Sequence, residues 1–112
     1  MNEVLEQEVN QLHAEFCAGL ADPKRILIIY ALSDGPHNVT ELAASLRMSQ
    51  PAVSRHLKVL RDRGMVQANR VGPSVEYRLA DQRLLEALDL LRAALRDHLA
   101  HRAQLAGVLL EE

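Results

Sequence analysis

The sequence contains one cysteine, three aromatic side chains and no tryptophan among its 112 residues. A single cysteine, Cys17, excludes an internal disulfide and any zinc site built only from cysteines of one chain. Because aromatic residues are scarce, the core must be built from Leu, Ile, Val and Ala, which favours helices over a sandwich of sheets. There is no signal peptide and no apolar run long enough to span a bilayer. We therefore expect one cytoplasmic domain over residues 1–112.

Charge is distributed unevenly along the chain, although the formal net charge is only −2. Residues 1–22 carry five acidic side chains and no Lys or Arg. Residues 47–78 carry a net charge of +5, from two acidic residues and seven basic ones, which are Arg47, Arg55, Lys58, Arg61, Arg63, Arg70 and Arg78. A basic middle between acidic ends is typical of a protein that binds phosphate with its middle segment.

Residues 49–63 carry the pattern of a short helix with two different faces. Ser49 can cap its N-terminus, Pro51 suits the first turn, and Gly64 can supply a left-handed end. One side is apolar at helical spacing, with Val53, Leu57 and Leu60. The other side offers amide, hydroxyl and cationic groups, with Gln50, Ser54, Arg55, Lys58 and Arg61. Such a helix suits the major groove of DNA, and the alternative is an ordinary surface helix with a solvated face.

Local signals predict four further helices. Apolar spacing indicates helices over residues 3–18 and from Asp81 to about Ala106. Asp22 and Pro23 begin a central helix that runs to Leu32, and Asn38 with Glu41 forms a capping box for a short third helix. The segment 38–63 therefore reads as helix, tight turn, helix, although the turn lacks the glycine often found there.

Two extended segments follow, at about Val66–Arg70 and Val75–Leu79, with a hairpin tip at residues 71–74. The expected fold is mainly α with a small β-hairpin: a winged helix-turn-helix of five helices and a two-stranded wing over residues 66–79. The first and last helices each have an unpartnered apolar stripe, so we expect residues 1–18 and 81–106 to form a symmetric homodimer. A dimer would place two such helices on successive major-groove faces of a palindromic operator.

The chain resembles the ArsR/SmtB winged-helix repressors of bacteria over roughly residues 15–82. The matching text is LADPKRI at residues 20–26, ELA at 41–43, SQPAVSRHLKVL at 49–60, GMV at 64–66 and YRL at 77–79. The resemblance implies a dimer that binds operator DNA and is released by an inducer, often a metal ion and in some members a redox or sulfur signal. It also implies DNA contacts along the second helix of the motif and the wing, at Gln50, Pro51, Ser54, Arg55, His56, Lys58, Arg61 and Arg70.

These contacts divide by chemistry. Gln50 and Arg55 can read adenine and guanine, with Ser54 beside them, whereas Lys58, Arg61 and Arg70 would hold phosphate. His56 has a second interpretation, as a residue at the helix surface or at the edge of the core.

The family's metal-binding positions are mostly altered in this sequence. Its arsenic and cadmium sensors place cysteines just before and within the third helix, and residues 36–42 contain no thiol. Its zinc sensors use ligands in the last helix whose counterparts here are Asp81, Arg83, Ala94 and Asp97. Two ligands are missing and an arginine replaces one of them, so we expect neither site to bind metal.

A different set of ligands remains. His13 and Cys17 share a face of the first helix, as do His98 and His101 on the last. If those helices meet across the dimer, the four side chains could bind Zn, Ni, Co or Cu as an inducer. Alternatively, the histidines are solvated polar residues and Cys17 is a small buried filler, or Cys17 acts alone as a redox sensor. An organic inducer also fits the sequence.

Two other classes of function are less consistent with this sequence than DNA binding. An enzyme is not expected, because no Gly-rich phosphate loop, nucleophile elbow or paired-carboxylate pocket occurs. A winged-helix module that binds a protein partner is the stronger rival. The basic segment with Gln50, Ser54 and Arg55 favours DNA, since a protein-binding wing would not require it.

Overall fold

The computed structural model describes the backbone of residues 1–111 and the side chains of residues 1–107. Residues 1–82 form one compact unit, and the helix that begins at Arg83 forms a second. In chain order the elements are α1 (Glu3–Leu12), a π-helical segment (His13–Cys17), α2 (Pro23–Ala31), β1 (His37–Asn38), α3 (Val39–Leu46), α4 (Gln50–Asp62), β2 (Val66–Val71), β3 (Ser74–Leu79) and α5 (Arg83–Glu111). The predicted class, mainly α with a small antiparallel wing, is confirmed.

The predicted helix starts are made by side-chain caps. The carboxylate of Asp22 accepts the Lys24 N–H at 2.9 Å at the start of α2. Asn38 and Glu41 form the expected capping box, with bonds of 2.8 and 3.0 Å between each side chain and the other residue's backbone N–H. Since these bonds satisfy N–H groups that have no partner within a helix, they fix where α2 and α3 begin.

The turn between α3 and α4 has no glycine, and Arg47 takes its place. Arg47 adopts a left-handed conformation with φ of 55°. The N–H of Met48 donates to the carbonyl of Ala43 at 3.0 Å, and that of Arg47 to Ala44 at 3.4 Å. This is the bonding pattern in which glycine is normally preferred. The helix-turn-helix geometry is therefore achieved with an arginine that carries the backbone strain.

The core lies between α2, α3, α4 and the sheet. Its fully buried side chains are Ile28, Ile29, Leu32, Leu42, Val53, Leu57, Leu60, Met65 and Val66. Helix α4 contacts α2, α3 and β2, so the apolar stripe predicted for it is buried. By contrast, α1 has no buried residue within this chain.

The sheet has three antiparallel strands in the order β1-β3-β2 rather than the two that were predicted. His37 of β1 lies opposite Tyr77 of β3. A two-residue polar strand has no sequence periodicity, so it could not be anticipated. The hairpin tip is also shorter than expected, because Val71 and Ser74 already pair. Gly72, with φ of 61°, supplies the positive φ that a two-residue turn needs at its first position.

Two helix predictions need correction. The first helix is not uniformly α-helical, since residues 13–17 form a π-turn in which the Ala18 N–H donates to the carbonyl of His13. The last helix begins at Arg83 rather than Asp81 and extends to Glu111 rather than Ala106. Despite its length, neither α5 nor any other helix in the described part of the chain is apolar enough to cross a membrane.

Gly19, at the end of the first helix, lies against the Met65 side chain. A Cβ at this position would lie 2.6 Å from Met65 Sδ, and Met65 is fully buried. We expect Gly19→Ala to destabilise the protein by about 1–3 kcal/mol, because the core would be overpacked. Urea unfolding at one fixed protein concentration measures this.

The matched control is Gly107→Ala, where nothing lies within 4 Å of the added Cβ. Because alanine favours a helix interior over glycine by roughly 0.5–1 kcal/mol, the control should be neutral or stabilising. Equal effects at both positions would contradict the packing argument.

Candidate nucleic-acid interface

One face of α4 is polar and fully open to solvent. Gln50, Ser54, Arg55, Lys58 and Arg61 are exposed, whereas the apolar stripe on the opposite side has no exposed surface. The helix is started by Ser49, whose hydroxyl accepts the Ala52 N–H at 3.3 Å. It ends at Asp62, and Gly64 just beyond adopts a left-handed conformation with φ of 73°. The candidate contact residues are thus presented on a helix fixed at both ends.

Pro51 is also exposed, in the first turn of α4 beside Gln50. It has no N–H to leave unpaired at this position, which suits a helix start. The predicted base-reading residues Gln50, Ser54 and Arg55 therefore occupy the N-terminal half of the helix. This is the end that enters the groove in helix-turn-helix proteins.

Lys58, a candidate phosphate contact on α4, already has an ion-pair partner. Its ammonium group donates to the Asp62 carboxylate at 2.9 Å, and that bond holds the pKa of Asp62 below its ordinary 3.8. Both side chains are exposed, and an exposed ion pair contributes little to stability because water screens it. Lys58 can therefore exchange Asp62 for a phosphate at little cost.

His56 does not lie on the open face. It is half-buried, and its Nδ1 lies 3.5 Å from Nη1 of Arg25 on α2. This position at the edge of the core favours the structural interpretation of His56 over a base contact. The family resemblance placed His56 among the DNA contacts with Arg55, but the two side chains differ by 100° around the helix.

The wing carries Arg70 on an edge strand, β2, and Arg78 on the central strand, β3. Arg70 is exposed on β2, opposite Val75 and close to the turn. On the same strand pair, Arg78 Nε donates to Gln67 Oε1 at 3.1 Å. Because β2 lies at the edge of the sheet, Arg70 can extend towards the phosphate backbone or the minor groove of a DNA bound beside α4.

A cluster that sequence reasoning missed lies just before α3. The imidazole of His37 is 2.9 Å from Asp34 through Nε2 and 3.4 Å from Glu41 through Nδ1. The hydrogen bond with Asp34, more than that with Glu41, raises the pKa of His37 above 6.5. In turn His37 lowers the pKa of Asp34, and the pKa of Glu41 is lowered by the Asn38 N–H and then by His37. Its sequence signal is a histidine flanked by carboxylates at positions −3 and +4.

This cluster should make stability depend on pH. Because the pKa of His37 is raised, its contribution is complete below pH 6.5 and is lost as pH rises through the folded pKa. The contributions of Asp34 and Glu41 are present above their ordinary pKa values of 3.8 and 4.5 and are lost in acid. We therefore expect the wild type to be most stable relative to His37→Gln between about pH 4.5 and 6.5. These limits are the ordinary pKa values of Glu41 and His37.

Urea unfolding of both proteins from pH 5 to pH 9 measures that difference. Asp34→Asn is the matched variant, and it should remove most of the pH dependence because Asp34 is the main partner of His37. If the difference in unfolding free energy between the wild type and His37→Gln stays constant over this range, the cluster does not make stability depend on pH.

The predicted metal ligands lie on two separate segments. His13 and Cys17 are exposed at the two ends of the π-helical segment, and His98 and His101 are exposed on α5. Within the described part of the chain, no group of three or more His, Cys, Asp or Glu side chains is placed to hold a metal. The four-residue set was predicted between two copies, so it stays a prediction. The suggestion that Cys17 is a buried filler is wrong, because its side chain is exposed.

Comparison with known proteins agrees with this architecture. The family model for the bacterial regulatory proteins of the arsR family matches residues 22–68, which include α2, the helix-turn-helix and the start of the wing. A transcriptional repressor SmtB homolog from Synechocystis is 40% identical over 83 residues, covering 74% of this chain and 63% of that protein. The chain thus spans somewhat less than two thirds of the length of these curated relatives.

Solved structures extend the match to most of the chain. The homodimeric winged helix-turn-helix DNA-binding domain of a possible ArsR-family transcriptional regulator from Mycobacterium bovis has a TM-score of 0.76 at 26% identity, over 90% of this chain and 93% of that one. A crystal structure from Mycobacterium tuberculosis has a TM-score of 0.76 at 33% identity, over 85% and 96%. With its capped helix-turn-helix and adjoining wing, the chain belongs to the ArsR family of bacterial regulatory proteins.

Proposed function

We propose that this chain is a sequence-specific DNA-binding transcriptional regulator, acting as a homodimeric repressor that an inducer releases from its operator. The observation that carries the proposal is the open face of α4. That face presents Gln50, Ser54, Arg55, Lys58 and Arg61 on a helix whose opposite side is fully buried. No catalytic role is proposed, since the relatives compared above are named as regulators or as a DNA-binding domain.

The roles of these side chains follow from their chemistry. Gln50 and Arg55 can each make two hydrogen bonds to a base edge, to adenine and guanine respectively. Lys58, Arg61 and Arg70 bind phosphates, which set affinity and orientation without reading sequence. The wing then holds the DNA beside the groove that α4 enters.

The dimer is proposed from two apolar surfaces, each on its own helix. Leu5, Val9 and Leu12 of α1 are 43–50% exposed, although they form one helical stripe. On α5, the residues Leu91, Leu95 and Leu99 are 48–64% exposed. Apolar stripes of this length are normally covered, and a second copy would cover them. The M. bovis structure, described as homodimeric, supports the same assembly.

The proposed inducer is a transition-metal ion held by His13 and Cys17 of one copy with His98 and His101 of the other. Imidazole and thiolate together suit zinc, cobalt, nickel or copper. The exposure of Cys17 supports a second candidate, oxidation of that thiol, which would need an intermolecular partner. In either case the inducer would act by changing the spacing of the two α4 helices, because operator half-sites accept a narrow range.

A fluorescence-anisotropy titration against the protein's own promoter DNA tests the proposal. We expect tight binding that weakens steeply with salt, and weaker binding to scrambled DNA of equal length. The titration is repeated with Zn²⁺, Ni²⁺, Co²⁺ and Cu⁺, and with the double variant His98→Ala, His101→Ala.

A metal that changes the Kd about tenfold, equivalent to roughly 1.4 kcal/mol, and loses this effect in the double variant would support the metal site. If DNA binds and no metal matters, the same titration after mild oxidation of the wild type and of Cys17→Ser tests the second candidate. Equal affinity for promoter and scrambled DNA would overturn sequence-specific binding.

A further inference from the structure

Two arginines connect the end of the first helix to the flank of α4. The Arg63 guanidinium, just after α4, donates to the carbonyl of Ala14 inside the π-helical segment. Arg25 of α2 donates from Nε to the Gly19 carbonyl at 2.7 Å and from Nη2 to the Ala18 carbonyl at 3.2 Å. Its third nitrogen, Nη1, lies 3.5 Å from His56 on α4.

The π-turn explains why a carbonyl is available to Arg63. In an α-helix the Ala18 N–H would donate to Ala14. Here it donates to His13 and Glu15 instead, which leaves the Ala14 oxygen without that donor. The carbonyls of Ala18 and Gly19 lie at the end of the helix, and that of Ala18 also accepts the Ala21 N–H at 3.3 Å. Arginines from α2 and from the end of α4 therefore donate to these backbone carbonyls.

The contacts on α4 share one side of the helix. His56 and Arg63 are seven residues apart, which places them two turns apart on the same flank, and both are half-buried. Arg61 and Ser54 point instead to the open face proposed to meet DNA. Gly19 packs onto this flank as well, because its Cβ position lies 3.3 Å from Cδ of Arg63.

We propose that Arg25 and Arg63 are positioning residues that set the orientation of α4 against the end of the first helix, and that DNA affinity depends on them although neither lies on the DNA-facing side. This inference rests on the proposed DNA-binding function. Base readout requires side chains held within about half an ångström of their productive positions. The bond from Arg63 to Ala14 and the contact of Arg25 with His56 both connect α4 to the end of the first helix, the second by way of the Arg25 bonds to Ala18 and Gly19. These polar contacts constrain the orientation of α4 because hydrogen bonds are directional, whereas apolar contacts are not.

Salt dependence separates positioning from phosphate binding. Arg25→Lys keeps the charge but cannot reach two carbonyls and His56 together, and we expect the Kd for promoter DNA to rise at least tenfold. Arg63→Ala should do the same, with the slope of log Kd against log salt unchanged. Arg61→Ala, on the open face, should instead flatten that slope by about 0.9, the value for one phosphate contact. Lys24→Arg, an exposed charge-conserving neighbour of Arg25, is the control and should bind like the wild type.

A pair of substitutions at His56 gives a test by rescue. His56→Gln retains an acceptor for Arg25 and should retain affinity, whereas His56→Leu should lose it. A flattened salt slope for Arg63→Ala would show that Arg63 binds phosphate, and unchanged affinity in Arg25→Lys would overturn the positioning role.

Amide hydrogen exchange, measured without DNA, tests the positioning contacts independently of the proposed DNA-binding function. In Arg25→Lys we expect faster exchange both in residues 13–20 and in α4. Faster exchange in residues 13–20 alone would overturn the connection to α4, whatever the DNA result. If Arg25→Lys shows both exchange effects but the wild type binds no promoter DNA, the proposed function fails while the connection to α4 stands.

Discussion

Replacing Leu57 with alanine should destabilise the protein by about 2–5 kcal/mol, the range for removing a large aliphatic side chain from a closed core. Leu57 has no exposed surface, and the helix that carries it contacts α2, α3 and β2 at once. The surrounding elements hold one another in place, so the cavity cannot collapse fully. For a domain of this size, such a loss is a large part of the total stability.

Urea unfolding at a fixed protein concentration measures the effect, and Ser54→Ala provides the matched control. Ser54 lies on the same helix but is exposed, so its replacement should change stability by less than about 0.5 kcal/mol. A Leu57→Ala variant as stable as Ser54→Ala would mean that α4 is not packed as described.

Arg55→Ala should reduce discrimination between operator and non-operator DNA by about 1–3 kcal/mol. Arg55 is exposed in the N-terminal half of α4, and an arginine there can make a two-pronged contact with guanine. Its loss removes sequence information along with one charge. The measurement is the ratio of Kd values for promoter and scrambled DNA at one salt concentration.

Lys58→Ala is the comparison that separates base recognition from phosphate binding. Its removal should weaken both DNAs alike and flatten the salt dependence, because a lysine on phosphate carries no sequence information. The two Kd values should then rise by the same factor and leave their ratio unchanged. If Arg55→Ala also leaves that ratio unchanged, the assignment of base readout to α4 is wrong.

Asp34, His37 and Glu41 illustrate how a local pattern can be visible in a sequence and still be overlooked. All three lie within eight residues, and their separations of three and four positions allow contact. Because the segment has no thiol, its sequence did not indicate a thiolate metal site. Their role here is electrostatic, and it joins the start of α3 to the strand that pairs with the wing.

The helix starts and the recognition face were predictable because their causes are local. A cap joins residues two or three positions apart, as Asp22 does with Lys24 and Asn38 with Glu41. An apolar stripe repeats every three or four residues, so burial of Val53, Leu57 and Leu60 follows from the helix alone. The same features also indicated the family from sequence, because the segment 22–68 that matches the family model contains them.

Only the tertiary structure decided the rest. The bond between Arg63 and Ala14 joins residues 49 positions apart, and the contact of Arg25 with His56 spans 31. The pairing of β1 with β3 and the left-handed Arg47 likewise depend on where other elements lie. Sequence periodicity tells which side of a helix is buried, but not which neighbour covers each flank, because that is set by how several helices pack together. For this reason the sequence predicted a helix suited to reading DNA, while the contacts of Arg25 and Arg63 beside it became visible only in the folded chain.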